Sequence, residues 1–231
     1  RDWNALYQQV PADLQGTYFQ REWFDNRYDV IPKNTNNYMS GDFAVTDGGG
    51  DYTELATWSV DHDDMIYARD WWYGQVTSDV WTDELIAMAK LNNALRFIGE
   101  AGPIRRSVEP WLEKRMRETG DYVTCEWLTA PSRESDSING KAVAARSFQA
   151  MCRQGRVRFP RTPWAERVID QLCMFPGNIG HKDDAVDTCS LFGRFIASTW
   201  AAIKPPEKKE IVWDAPLRMS DFAKPTERKS W

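Results

Sequence analysis

The sequence predicts an α/β fold built on one mixed sheet flanked by helices, and three observations carry that expectation. Strand-like runs at 38–46, 52–60 and 65–73 are joined by the short turn segments Asp47-Gly48-Gly49-Gly50-Asp51 and Asp61-His62-Asp63-Asp64, which predict a three-stranded antiparallel meander. Beyond residue 80, short strand-like runs alternate with stretches of helical period. With 231 residues, 42% of them hydrophobic, the chain can bury a full core in one domain plus a tail.

The elements follow in order. Residues 1–33 mix aromatic and polar side chains around Pro11 and Gly16 and read as an extended lead-in that packs on a domain. After the meander, 82–92 predicts a helix, with Leu85, Ile86, Met88, Ala89 and Leu91 as its apolar positions. A fourth strand at 94–98 leads to Glu100, and Gly99 with Gly102-Pro103 is read as a break before a helix at 104–117. A fifth strand is predicted at 122–128, a polar loop at 131–139, and a helix at 141–153. A short strand at 157–159 precedes a helix with Thr162 as N-cap and Pro163 in its first position. The last helix, 183–203, places Val186, Cys189, Gly193, Ile196 and Trp200 on one side, a face suited to a sheet. From 204 to 231 the composition turns charged and proline-bearing, as in a tail.

Composition excludes several classes. No run approaches the roughly 18 apolar residues of a membrane span, and the N-terminus carries no signal-peptide pattern. A net charge of -5 argues against a protein that coats nucleic acid by bulk charge, though a nuclease can offset its carboxylates with bound metal. Cys125, Cys152, Cys173 and Cys189 form no C-x₂-C pair, so structural zinc is not expected and the thiols read as reduced, in a cytosol. The 12 tryptophans suit core and interfaces.

Three acidic positions at the ends of elements are the candidates for chemistry. Asp42 lies in the run Tyr38-Met39-Ser40-Gly41-Asp42-Phe43-Ala44-Val45, Glu100 follows the fourth strand, and Asp183 and Asp184 open the last helix. A carboxylate inside a strand is costly to bury unless it is paired or binds metal. Carboxylates converging from two strands and a helix start would suit Mg²⁺ or Mn²⁺, which prefer oxygen donors. Each position has a plainer reading as well. Asp42 could face solvent on an edge strand, and Glu100 could be a cap acid. Asp183, Asp184 and Asp187 share a first turn, where the helix dipole alone favours acids. Helical spacing sets Asp183 nearer the apolar face, and Asp187, one turn on, could act through a water. His62 with Asp61, Asp63 and Asp64 reads as a solvated turn, and Trp71-Trp72-Tyr73 as core or interface. The lysines and arginines dense between Arg105 and Arg161, Lys141 among them, read mostly as solvated helix faces with some turned to DNA phosphates.

The meander, the alternating elements and the placement of the acids together match the layout of an RNase H-like fold. In detail the chain resembles the C-terminal nuclease domain of the large terminase subunit of tailed bacteriophages. Ala5-Leu6-Tyr7-Gln8-Gln9-Val10-Pro11, Gly16-Thr17-Tyr18-Phe19 and Arg21-Glu22-Trp23-Phe24 resemble that family's segment between ATPase and nuclease. Gly41-Asp42-Phe43-Ala44-Val45-Thr46 with Asp51-Tyr52-Thr53 resembles its first metal-binding strand and hairpin. Phe97-Ile98-Gly99-Glu100 resembles its second acidic motif, and His181-Lys182-Asp183-Asp184-Ala185-Val186-Asp187 its third. The likeness spans residues 5 to 200. It does not extend to ATP hydrolysis: Ile138-Asn139-Gly140-Lys141-Ala142 lacks the first glycine and the hydroxyl of a G-x-x-x-x-G-K-[ST] loop.

What the resemblance implies is an endonuclease that cuts concatemeric double-stranded viral DNA during packaging, using two ions, Mg²⁺ or Mn²⁺, bridged by Asp42. Glu100 and Asp184 would complete the set, since the family match favours Asp184 over Asp183. Asp187, His181 and Lys182 would stand behind them or touch DNA. The division implied is a lead-in at 1–33 from an ATPase domain outside this sequence, a nuclease domain at 34–203 and a tail at 204–231. Portal protein and the terminase small subunit would be partners, and host cytoplasm the setting. Rival readings are a junction resolvase or transposase-type nuclease, and a non-catalytic module that docks on portal and DNA.

Overall fold

A computed structural model describes residues 18–44, 52–129, 140–176 and 184–196. Residues 1–17 of the predicted lead-in, the predicted turn at 47–51, the whole loop at 131–139, His181, Lys182, Asp183 and the tail lie outside the described residues. Six strands, β1 (Asn36–Asp42), β2 (Thr53–Val60), β3 (Ile66–Gly74), β4 (Arg96–Ala101), β5 (Thr124–Thr129) and β6 (Val157–Arg158), form one sheet in the order β5-β4-β1-β2-β3-β6. β1, β2 and β3 make the predicted antiparallel meander, while β4, β5 and β6 join parallel to β1, β4 and β3 respectively. The helices are α1 (Ser78–Leu91), α2 (Pro103–Thr119), α3 (Gly140–Arg153), α4 (Pro163–Met174) and α5 (Asp184–Ile196).

Side chains alternate across a strand, and β1 shows this in full. Met39 joins Leu55, Phe97 and residues of α1 and α2 in one core layer. Tyr38 joins Trp58, Ile98 and residues of α3, α4 and α5 in the other. Phe19 and Phe24, from the chain before β1, are buried in that second layer. Trp58 anchors it: fully buried, its ring stacks on Phe192 of α5 at 4.7 Å. Truncating such an aromatic costs about 3–5 kcal/mol.

A polar link sets α5 in place across the sheet. Trp58 Nε1 donates to Ser40 Oγ, and the Ser40 hydroxyl donates to the Thr188 carbonyl, both at 2.9 Å. Where α3 meets α5, a Cβ on Gly193 would lie 2.7 Å from the Phe148 backbone nitrogen, so only glycine admits this approach of α3. The start of α5 is thereby held over the end of β1.

Several boundaries differ from the sequence reading. α1 begins at Ser78 rather than 82, because its first turn projects the exposed Val80 and hides the helical period there. β4 runs through Gly99 to Ala101, so Glu100 lies within the strand rather than after it. Gly99 is there for packing, not as a break: a Cβ would sit 2.6 Å from the Trp127 ring. β1 ends at Asp42, short of the predicted 46, and the last helix starts, among the described residues, at Asp184. The four cysteines are free thiols. Among the described residues no helix is long and apolar enough to cross a membrane.

A carboxylate row as the candidate active site

Strand register aligns a row of side chains across one end of the sheet. Asp42 lies opposite Glu54 in the β1–β2 ladder, and Glu54 opposite Tyr73 in the β2–β3 ladder. Ser40 pairs with Ile98 in the parallel β1–β4 ladder, so two residues further on Asp42 comes level with Glu100. By alternation Asp42, Glu54 and Glu100 project on the side that α5 covers, as Tyr38, Ala56 and Ile98 do. Asp184 and Asp187 occupy the first turn of α5 above this row. The Tyr52 backbone N–H points to Asp184 Oδ2 at 3.4 Å.

The electrostatics of Asp42 report the convergence. Burial raises its carboxyl well above the usual carboxylate range, and the neighbouring acids Asp187, Asp184 and Glu100 push it further up. Lys141 on α3 opposes them. The Lys141 ammonium also pairs with Asp187 Oδ2 at 2.8 Å. Of the predicted acids, the structure therefore brings Asp42, Glu100, Asp184 and Asp187 into one field. Asp187, expected to stand a turn away, is the strongest of the acids acting on Asp42.

Carboxylate oxygens and a field in which three acids outweigh one lysine suit a hard divalent cation in donor chemistry and in sign. With the side chains as they stand, no group of three His, Cys, Asp or Glu among the described residues is arranged to hold an ion. Asp183, next to the cluster in sequence, is outside the described residues. Thiol chemistry is not offered nearby: burial pushes the Cys152 and Cys189 thiols up, away from the reactive thiolate.

Sequence reading passed over two features of the row. Glu54, fully buried, receives Arg167 of α4 through both terminal nitrogens, Nη1 to Oε1 at 2.8 Å and Nη2 to Oε2 at 3.0 Å. Trp71 Nε1 adds a third donor at 2.7 Å, and the guanidinium carbon lies 3.7 Å from the centre of the Tyr73 ring. The rule that singled out Asp42, an acid inside an apolar strand, applies equally to Glu54 in Tyr52-Thr53-Glu54-Leu55-Ala56. The second is Lys141, grouped with surface cations in the sequence and found at the acids.

The 61–64 turn needs correction. Asp61 is not solvated but 5% exposed. Its Oδ1 accepts the Asp63 and Met65 backbone N–H groups at 2.9 Å, and its Oδ2 the Tyr67 hydroxyl at 3.0 Å. Only the rest of the turn faces water, with His62 and Asp63 in contact at 3.3 Å. The basic set largely forms ion pairs: Arg105 with Glu109, Arg115 with Asp83 and Glu118, Arg117 with Glu113 and Arg161 with Asp29. Trp71 is core, and Tyr73 is 44% exposed beside Arg167.

No protein-family model matches the chain, and no curated protein matches its sequence. Solved structures do match its fold. The large terminase nuclease from thermophilic phage G20c with bound magnesium aligns at a TM-score of 0.54 and 14% identity, covering 80% of this chain and 98% of that one. A mutant nuclease domain of the large terminase subunit gp2 of bacterial virus Sf6, with manganese and beta-thujaplicinol, aligns at 0.54 and 9% identity, covering 77% and 96%. At such identities the likeness is one of fold. The chain has the RNase H-like fold of phage large terminase nuclease domains, a six-stranded mixed sheet with helices on both faces.

Proposed function

We propose that this chain is a metal-dependent endonuclease that cuts double-stranded DNA, the nuclease part of a phage packaging terminase. The observation that carries the reading is the convergence of Asp187, Asp184 and Glu100 on the partly buried Asp42 at the end of β1. An arrangement that crowds acids together is unfavourable in the bare protein and becomes favourable with a cation in place. The matching fold of nuclease domains solved with magnesium and with manganese supports it.

In this reading Asp42, Glu100 and Asp184 would hold two divalent ions, with Asp183 as the further candidate ligand. The chemistry a bound pair of Mg²⁺ or Mn²⁺ supplies is a water of lowered pKa for attack on phosphorus and a stabilised leaving oxygen. The chain's own work is positional. β1 and β4 fix Asp42 and Glu100 at one level, and the Ser40–Thr188 link fixes the helix that carries Asp184. Lys141 pairs with Asp187 and offsets part of the negative field. His181 and Lys182 would lie next to the scissile phosphate. Portal protein, the small subunit and an ATPase domain of the same protein are the partners this role calls for, in the cytoplasm of an infected cell.

The test is nicking of supercoiled plasmid in Mn²⁺, in Mg²⁺ and in EDTA. Cleavage with either ion, none in EDTA and none by a folded Asp42→Asn variant is expected. Cleavage that persists in EDTA would remove the metal from the account. Absence of cleavage under every condition would favour a docking module instead.

A further inference from the structure

The acid in closest register with Asp42 is not one of the proposed ligands. Glu54 faces Asp42 directly across the β1–β2 ladder, where opposed Cβ atoms stand about 4.5–5.5 Å apart. Left ionised and open, it would be a ready ligand and the nearest source of extra negative charge. It is instead fully buried, with both oxygens bound by Arg167 and a third hydrogen bond from Trp71. Arg167 is itself held from behind, its guanidinium over the Tyr73 ring, and Tyr73 pairs with Glu54 on the other side of β2. Stability gives little reason for this arrangement, because a buried ion pair often does no better than apolar groups of the same size. What it does achieve is to cancel one carboxylate at a chosen place in the row.

Building on the metal reading above, we propose that Arg167 is a positioning residue that withholds Glu54 from the acid cluster, leaving divalent cations to Asp42, Glu100 and Asp184. Its guanidinium makes the pair with Glu54 neutral, so the charge presented to an incoming cation is that of the remaining acids. The bidentate geometry also fixes the Glu54 carboxylate in place, turned toward α4.

The two members of the pair then act on cation binding with opposite signs. Arg167→Met would expose the Glu54 charge beside Asp42, whereas Glu54→Gln would leave an uncancelled guanidinium there. The experiment is calorimetric titration of the full chain with Mn²⁺ alone, without DNA, alongside thermal melts to establish folding. Expected is tightening of Mn²⁺ binding by about tenfold in Arg167→Met, weakening by about tenfold in Glu54→Gln, and near wild-type binding in the double variant. A purely structural role would loosen binding in both single variants. That result, or unchanged binding in a folded Arg167→Met, overturns the proposal while leaving the metal reading intact. If Arg167→Met does not fold, Glu54→Gln decides: wild-type Mn²⁺ affinity there overturns the role. If the wild-type chain itself takes up no Mn²⁺, the metal reading fails and this role falls with it.

Discussion

β2 connects two acid-rich ends of the same sheet, and the two treat their carboxylates in opposite ways. At its far end Asp61 is buried, and both its oxygens are used by two backbone N–H groups and the Tyr67 hydroxyl. That acid is spent on closing a turn. At the near end, Asp42 draws its largest electrostatic effects from burial and from three further acids, with Lys141 as counterweight. Directly beside it Glu54 is cancelled outright by Arg167. Local sequence is acidic at both ends, so composition does not separate a site from a scaffold. What separates them is whether the protein itself satisfies the charge. A carboxylate already holding its donors has nothing to offer a cation, and a group of acids facing one another has.

This contrast can be broken from either end. The largest effect expected is on cleavage by Asp42→Asn, a loss of at least about 100-fold with the fold retained, read by plasmid nicking and by circular dichroism. Asp184→Asn and Glu100→Gln should follow it. Asp187→Asn should lose less, because Asp187 is engaged by Lys141. At the other end Asp61→Ala should reverse the pattern. It leaves two backbone donors and a tyrosine hydroxyl without an acceptor, so it should cost about 2–4 kcal/mol in denaturant unfolding. The folded fraction should nick at the wild-type rate.

A smaller effect concerns pH in metal-free buffer. The Asp42 carboxyl is raised in the folded protein, by burial first and then by the surrounding acids. Its contribution to stability is therefore fully present below the ordinary carboxylate range and is lost as pH rises through the raised value. Asp42→Asn should be the more stable protein at neutral pH, and its advantage should vanish as pH falls toward 4, as followed by thermal melts in EDTA. An advantage that grows on acidification would contradict the crowding of acids around Asp42. The smallest effect is that of His62→Ala, whose partner Asp63 is exposed: less than about 0.5 kcal/mol, and no change in nicking.

Much of the fold was legible because its signals are local. The short Asp61–Asp64 turn between the strand-like runs of β2 and β3 announces the meander, and Pro163 marks the start of α4. Asp42, Glu100 and Asp184 could be picked out as acids at the ends of apolar runs. Their neighbours could not be weighed the same way. Arg167 lies 113 residues from Glu54 in the chain, and Lys141 lies 46 from Asp187, so nothing in either local sequence shows which acid is neutralised. Asp61 was misread for a related reason: its donors lie within six residues, but a run of acids around a histidine looks solvated until the turn is closed. Gly99 looked like a break because a glycine within a strand and one packed under a ring give the same letter.

The most direct test is to locate the ion. Crystals soaked in Mn²⁺ and measured for anomalous scattering should show peaks at the end of β1, bounded by Asp42, Glu100 and Asp184, with the Asp61 turn empty and Glu54 still bound to Arg167. Peaks at the 61–64 turn, or none at Asp42, would contradict the account.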